Sequence, residues 1–242
     1  MSDAMIFDHH KRIIEILSRM DPAVLKKAEC YFGGGTAISL LLNEYRESVD
    51  IDFLCSSDNG YRFLRETLWD KGIEGLFKPD QMPTLTKEPR IDRDKVKTFL
   101  QVDDRPVKLE IVREGRISLS AQPDLFFNVP VLTRTDLFAC KLLANCDRVG
   151  DAIDNGKDIF DIAMMISFWG EIPKAAWDKT RQAYGLVIDK AFVKARDQLE
   201  IPGIFEQLTA KYHISEENKA NIMSALELSL DLDDEISNHL SP

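Results

Sequence analysis

The chain has 242 residues, of which 44% are hydrophobic and 30% are charged, and these shares are typical of a globular protein with a sizeable core. Its net charge of −10 argues against a general affinity for nucleic acid, which needs a basic surface, although a small local basic patch is compatible with that charge. Apolar runs are too short to span a bilayer and the N-terminus carries no signal peptide, so we expect a cytoplasmic protein with no membrane segment, whose four cysteines are free thiols.

The first half of the chain predicts helices that alternate with short strands. Hydrophobic periodicity predicts helices over 8–20 and 21–29, a strand at 30–32, a helix over 36–44, a strand at 49–55 and a helix over 61–71. Three prolines predict an irregular segment over 79–95, followed by strands at 95–102 and 106–113 joined by a hairpin turn, and by a last strand at 126–132.

The second half of the chain predicts helices alone. They are expected over 134–148, 158–169 and 174–197, with two more helices before the C-terminus. Because the pattern changes between residues 120 and 133, we predict an α+β protein, in which an α/β domain with a mixed sheet and flanking helices (1–130) is followed by a helical domain (131–242).

A glycine turn lies between the first predicted strand and the helix that follows it. Gly34 and Gly35 have no side chains, so a phosphate group can approach their backbone, and Thr36 begins a helix whose free N–H groups favour an anion. Turns of this kind also contain glycine for steric reasons alone. The glycines by themselves therefore leave both interpretations open.

Two aspartates project from one face of the predicted strand at 49–55, because side chains alternate between the faces of a strand. Asp50 and Asp52 can therefore bind a divalent cation such as Mg²⁺ or Mn²⁺. A solvated strand face is the alternative, but the apolar neighbours of both residues indicate a core strand. Glu110, on a later apolar strand, is a candidate third ligand for a two-metal site, and an ion pair with Lys108 is its alternative.

Basic residues recur every seven positions along the first helix of the second half. Arg134, Lys141 and Arg148 therefore share one face of an otherwise apolar helix, and buried charges of this kind require an anion. The anion is either a bound triphosphate or the carboxylates of Asp158 and Asp161 on the next helix, unless the stripe simply faces solvent. Either aspartate can act as a general base or orient Lys141, and Asp158 can also cap its helix.

Together these motifs resemble the nucleotidyltransferase family of AbiEii/AbiGii toxins. That family has a Gly-Gly-Thr turn before an Arg-x-Ser-x-Asp-Ile-Asp-Phe strand, and the corresponding residues here are 34–36 and 46–53. The family's downstream lysine, arginine and basic-Asp-x-aromatic-Asp motif are matched in order by Lys141, Arg148 and residues 157–161. The spacing before the paired aspartates is slightly longer than usual, and a lysine replaces the usual arginine of the last motif.

The resemblance covers about residues 31–165. It implies a nucleotidyltransferase-fold sheet and an enzyme that moves a nucleoside monophosphate from an NTP to an acceptor hydroxyl with Mg²⁺ or Mn²⁺. Taken with the motifs, it implies metal ligands at Asp50, Asp52 and Glu110, with further catalytic residues at Lys141, Asp158 and Asp161. Nucleotide contacts are expected at Gly34, Gly35, Thr36, Arg46, Ser48, Lys141 and Arg148.

A toxin-like role is also implied, with tRNA, another RNA or a protein as acceptor and a cognate antitoxin protein as partner. Two alternatives remain open. A drug-modifying enzyme that acts on a cationic small molecule fits the acidic composition somewhat better than RNA does. A catalytically silent nucleotide-binding interaction protein is expected to have lost at least one of the three carboxylates, and all three are present.

Overall fold

The structure is a computed structural model, which describes residues 7–103, 105–148 and 156–228. The first elements are α1 (Asp8–Arg19), α2 (Pro22–Lys27), β1 (Cys30–Gly33), α3 (Gly34–Leu41), β2 (Asp50–Cys55) and α4 (Asp58–Lys71). A 3-10 helix (Gly72–Leu76) precedes β3 (Thr84–Ile91), β4 (Lys95–Val102), β5 (Arg105–Arg113), β6 (Ala121–Phe126) and β7 (Val129–Leu132). The later elements are α5 (Arg134–Arg148), α6 (Lys157–Trp169), α7 (Lys174–Tyr184), α8 (Val187–Leu199), α9 (Ile204–Lys211) and α10 (Glu216–Leu226).

Within the described residues, the strands form one seven-stranded mixed sheet in the order β3-β4-β5-β2-β1-β7-β6. Strand β2 is central and runs parallel to β5 and antiparallel to β1. Alternation along β2 places Ile51 and Phe53 in the hydrophobic core and leaves Asp50 and Asp52 on the opposite face. The register sets Asp52 directly beside Glu110 of β5, so the predicted acidic residues meet in the middle of the sheet.

Two clusters of buried hydrophobic residues support this sheet. One lies between the sheet and helices α1, α2 and α4. The other joins the helices from α5 to α10 and extends back to Ile38 of α3 and Leu132 of β7. Helix α3 therefore links the sheet to the helical part, and the division into domains at 1–130 and 131–242 stays a prediction.

The structure confirms the α+β fold class and the four free cysteines. The prediction of an irregular segment over 79–95 is wrong, because this segment contains strand β3. Pro89 is tolerated there because β3 is an edge strand, and its pairing with β4 shifts register between Lys87 and Arg90.

Two further boundaries differ because of local backbone conformation. The single strand predicted at 126–132 is part of the β6–β7 hairpin, since Phe127 and Asn128 adopt the positive φ angles of a tight turn. The single helix predicted over 174–197 is two helices, because Gly185 has a φ of 65° and ends α7. No helix in the described ranges is both long enough and apolar enough to cross a membrane.

Candidate active site

The glycine turn joins β1 to α3, and the helix begins at Gly34 rather than at Thr36 as predicted. Gly34 has a φ of +71°, and a Cβ atom added there would lie 2.5 Å from the Oδ2 atom of Asp52. A Cβ atom added at Gly35 would overlap the guanidinium of Arg46. Both glycines are therefore required by the close approach of other side chains, and both also line the cavity described below.

Thr36 and Ser48 connect helix α3 to the start of β2. The Thr36 hydroxyl donates a hydrogen bond to the Asp50 carbonyl oxygen at 2.5 Å and lies 2.8 Å from the Ser48 hydroxyl oxygen. Thr36 is buried, whereas Ser48 lines the cavity. These contacts hold the strand with the paired aspartates against the glycine turn.

The sheet side of the site, which we call the sheet wall, consists of Asp50, Asp52, Glu110, Lys95 and Lys108. The Lys108 ammonium lies 2.6 Å from Asp50, and the Lys95 ammonium lies 2.9 Å from Glu110. The Asp52 carboxylate has no hydrogen bond or ion pair with any residue that the structure describes. Burial and the negative charge of Asp50 raise the pKa of Asp52 to about 6. The sheet wall thus holds one carboxylate whose charge has no direct partner.

The paired groups of the sheet wall respond to opposing effects. Burial lowers the pKa of Lys108, but the hydrogen bond and charge of Asp50 outweigh it, so the pKa is raised overall. Burial likewise raises the pKa of Glu110, and the neighbouring lysines bring it below its ordinary value. The predicted Glu110–Lys108 ion pair is present at 3.7 Å, and Lys95 is the closer partner.

The sheet wall offers oxygen ligands for a divalent cation. Among the described residues, no group of three or more acidic, cysteine or histidine side chains lies close enough together to hold a metal ion. Asp50 and Asp52 fit the usual binding of Mg²⁺ through one or two carboxylates together with phosphate oxygens. The raised pKa of Asp52 supports this fit, because a cation would offset its repulsion from Asp50. The Oε1 atom of Glu110 already contacts three lysines, of which Lys95 is the nearest at 2.9 Å, so these ammonium groups would compete with an ion for Glu110.

The opposite side, which we call the helix wall, is a buried network of charged residues from α5, α6 and the loop before β2. Lys141 lies 2.9 Å from Asp158 and 2.5 Å from Asp161. Asp161 also accepts hydrogen bonds from the Arg46 guanidinium at 2.8 and 2.9 Å, and one from the Tyr45 hydroxyl. Burial acts to raise the pKa of Asp161, but Arg46 and Lys141 hold it at about 2, so this carboxylate stays ionised.

This network answers the question of which anion faces the basic helix. The carboxylates of Asp158 and Asp161 face Lys141, and Arg148 reaches Asp158 at 2.6 Å. Arg134 contacts none of these groups. Its guanidinium instead lies over the indole ring of Trp169, 5.1 Å from the ring centre. Asp158 does not cap its helix, and neither aspartate lines the cavity, so orienting Lys141 fits both better than the role of general base.

A cavity of about 600 Å³ separates the two walls. Its volume is ordinary for a small-molecule site. The predicted site residues that line it are Gly34, Gly35, Arg46, Ser48, Asp50, Asp52, Lys141 and Arg148. The structure therefore brings the sheet motif and the first downstream basic residues to one place. Four predicted site residues are buried and do not line the cavity: Thr36, Glu110, Asp158 and Asp161.

The sequence analysis misses four cavity residues, which are Lys95, Glu114, Arg116 and Asp147. Lys157, which is matched to the downstream motif without a role in the site, also lines the cavity. The predicted hairpin of β4 and β5 could have indicated Lys95. Its pairing sets Lys97 opposite Glu110 and brings both lysines of β4 to the sheet wall. Arg116 meets Glu114 at 2.6 Å and Asp147 at 2.8 Å through the packing of α5 beside the sheet, for which no local pattern exists.

Comparison with known protein families agrees with this geometry. A search of characterised proteins finds no match. The sequence does match the family described as nucleotidyl transferase AbiEii toxin, type IV TA system, over residues 15–232. The matched range includes every residue of both walls. Membership of this family implies the transfer of a nucleotidyl group and the existence of a cognate antitoxin. The chain therefore belongs to the AbiEii family of nucleotidyl transferase toxins.

Proposed function

We propose that this chain transfers a nucleoside monophosphate from an NTP to an acceptor hydroxyl in the cavity between the two walls, with Mg²⁺ or Mn²⁺ on the sheet wall. The observation that carries the proposal is the environment of the Asp52 carboxylate. It adjoins the glycine turn, it lies next to Asp50, and within the described chain it makes no hydrogen bond or ion pair. The more distant charges of Lys108 and Lys141 act to lower its pKa but do not outweigh burial and Asp50. Such a carboxylate is costly unless a cation joins it.

Residues of both walls are proposed to bind the triphosphate. The backbone at Gly34 and Gly35 lines the cavity at the start of α3, where free N–H groups suit phosphate oxygens. An ammonium has three donors, and Lys141 uses two of them on its aspartates, so the third can serve a phosphate oxygen. Arg148, whose side chain is 37% exposed, adds positive charge at the rim.

In the reaction, the acceptor oxygen bonds to the α-phosphorus, the bond to pyrophosphate breaks, and the hydroxyl proton leaves. A bound divalent cation would stabilise the charge that develops on the phosphate oxygens. Asp158 and Asp161 keep Lys141 charged and in position, because they outweigh the lowering of its pKa by burial. Arg46 is proposed to position the loop before β2 rather than to bind phosphate, since Asp161 occupies its guanidinium.

We propose RNA as the acceptor. Lys95 and Lys97 are 43% and 41% exposed at the sheet wall, so a local basic surface adjoins the cavity although the whole chain is acidic. Such a surface suits a phosphodiester backbone. A cationic small acceptor would need free acidic residues besides the pair proposed to hold the metal, and the other two acids of the cavity, Glu114 and Asp147, are already paired with Arg116.

Labelled NTPs test the proposal when each is incubated with Mg²⁺ and separate fractions of RNA, protein and small metabolites. We expect label in RNA and none with the Asp50→Asn/Asp52→Asn double variant. Asp58→Asn, which changes an exposed acid at the start of α4, is the matched control and should label as the wild type does. Label in the metabolite fraction would identify a small-molecule enzyme instead. NTP binding without transfer to any fraction would identify a silent nucleotide-binding protein.

Growth of a bacterial host tests the toxin role separately. Induced expression should slow growth, and expression of the double variant should not. Isothermal titration of the double variant with NTP and Mg²⁺ should show that binding is lost. Unchanged binding would contradict the metal site on Asp50 and Asp52.

A further inference from the structure

The loop between α3 and β2, residues 42–49, contributes to both walls of the cavity. It places Arg46 in the helix wall and Ser48 at the end of the sheet wall. Its backbone is strained, because Asn43 and Glu44 have φ angles of 57° and 54°, a region that residues other than glycine rarely adopt. Two successive residues in this conformation persist only where the surroundings hold them. The loop therefore needs an anchor.

A buried histidine of α1 provides that anchor. His10 has no solvent exposure, and its Nδ1 atom lies 2.7 Å from a carboxylate oxygen of Glu44. Its Nε2 atom accepts a hydrogen bond from the backbone N–H of Ser48 at 3.1 Å. Because a backbone N–H can only donate, Nε2 carries no proton, and Nδ1 is the atom that donates to Glu44. The imidazole is therefore neutral and connects the two ends of the loop.

Neighbouring residues of the N-terminal segment add weaker contacts to the same loop. The Nε2 atom of His9 lies 2.7 Å from the carbonyl oxygen of Val49, at an exposed position. The backbone N–H of Phe7 donates to Glu44 at 3.4 Å. His10 is the enclosed member of this set, and it does not line the cavity.

We propose that His10 is a positioning residue, which as a neutral imidazole holds loop 42–49 in the conformation that brings Arg46 and Ser48 to the cavity. Its effect on catalysis rests on the proposed function, whereas its effect on the loop does not. Protonation would place a second N–H against the N–H of Ser48, so the loop should be released when His10 gains a proton.

The pKa of His10 is set by burial and by three neighbouring residues. Burial lowers the pKa of His10 below 6.5, and the proximity of His9 lowers it further. The hydrogen bond and charge of Glu44, together with the backbone contact at Ser48, act to raise the pKa of His10 without reversing the shift. The neutral form is therefore favoured in the fold, and protonation of His10 is expected only as the pH falls below 6.5.

Hydrogen exchange tests the anchor without an activity assay. In His10→Phe, which keeps a ring but has no acceptor, the amides of residues 43–49 should exchange at least about tenfold faster, as expected for one lost hydrogen bond at a buried group. His10→Gln, whose amide oxygen can accept from Ser48, should recover part of the protection. Ile13→Ala is the matched control, because it removes a buried side chain of the same helix and should leave the loop's protection unchanged relative to other segments. Equal loop exchange in His10→Phe and the wild type would overturn the proposal.

The wild-type protein gives a second test if His10→Phe does not fold. Nitrogen NMR should find the His10 proton on Nδ1. The protection factors of the loop amides, which correct for the intrinsic pH dependence of exchange, should fall as the pH falls below 6.5. A charged His10 at neutral pH, or a proton on Nε2, would contradict the anchor.

For the transfer reaction, His10→Phe should raise the KM for NTP more than it lowers kcat, and His10→Gln should restore it. Failure of the proposed function would appear instead as no transfer by the wild type, with the exchange results unaffected.

Discussion

The two walls of the cavity have similar residues and opposite electrostatics. In the helix wall, Arg46 and Lys141 surround Asp161 and hold its pKa at about 2. In the sheet wall, Asp52 lies beside Asp50 and its pKa is raised to about 6. Burial acts on both carboxylates in the same direction, so the difference comes from the sign of their neighbours. Paired charges such as those around Asp161 support the structure, whereas a buried carboxylate without an ion pair favours binding of a cation. This difference supports the proposal that the sheet wall is the reactive side.

Neutralising Asp52 should separate activity from stability. Asp52→Asn is expected to slow nucleotidyl transfer at least about ten-thousandfold, or about 5 kcal/mol in the barrier, because it removes a carboxylate proposed to hold the metal. The free energy of unfolding should stay the same or rise, because the repulsion from Asp50 disappears. Single-turnover rates and urea denaturation measure the two quantities on one preparation. A marked loss of stability would mean that the two walls do not differ as described.

Neutralising Asp161 should have the reverse effect. Asp161→Asn leaves Arg46 and Lys141 buried with an incomplete partner, so the free energy of unfolding should fall by about 3 to 5 kcal/mol. Urea denaturation measures this change. The control is Asp178→Asn, which breaks an exposed ion pair with Lys174 and should change stability by less than about 1 kcal/mol. A stable Asp161→Asn protein that had lost only its affinity for NTP would assign Asp161 to the reactive side.

The sheet wall is largely predictable from the sequence, because its geometry is local. Alternation along one strand suffices to place Asp50 and Asp52 on one face, and an apolar strand with a single acid suffices to suggest Glu110. The helix wall is different, because Arg46 and Asp161 are 115 residues apart in the chain and meet only through the packing of α6 beside the loop. The basic stripe on α5 suggests the contact of Lys141 with the aspartates of α6, but no motif indicates that Arg46 binds Asp161.

The parts of the fold that the sequence does not predict have the same explanation. Pro89 reads as a breaker, yet it is compatible with strand β3 because tertiary structure puts that strand at the edge of the sheet. His10 reads as one polar residue on an amphipathic helix, and only the fold brings the loop against it. Local patterns thus predict elements and faces, and long-range packing determines partners.

The opposite pKa shifts give the two walls opposite pH dependence. Folded Asp52 keeps its proton up to about pH 6 against 3.8 for the ordinary group, so its contribution to stability is present below pH 3.8 and is lost as the pH rises through 6. Asp161 contributes stability that is present above pH 3.8 and is lost as the pH falls towards 2.

Metal-free protein in a chelator should reveal this contrast. From about pH 4 to about pH 7, the stability of Asp52→Asn relative to the wild type should grow by at most about 3 kcal/mol, as a shift of about two pKa units allows. Urea denaturation at each pH measures this difference. Saturating Mg²⁺ should cancel the growth, because the cation stabilises the ionised wild-type pair. If the difference in the free energy of unfolding between Asp52→Asn and the wild type does not change with pH in the chelator, the raised pKa of Asp52 is contradicted.

The smallest effect concerns the lysines of the sheet wall. Lys108 competes with a cation for Asp50, so Lys108→Met should tighten Mn²⁺ binding about fivefold, which corresponds to about 1 kcal/mol for a partly exposed ion pair. Titration followed by electron paramagnetic resonance, without NTP, measures this affinity. Lys95→Met is the matched control, because it removes the nearest partner of Glu110 and leaves the Lys108–Asp50 pair in place. If Asp50 and Asp52 alone hold the ion, Lys95→Met should leave the affinity unchanged. Equal tightening by both variants would make Glu110 a third ligand, and weaker binding in Lys108→Met would contradict the competition between lysine and metal.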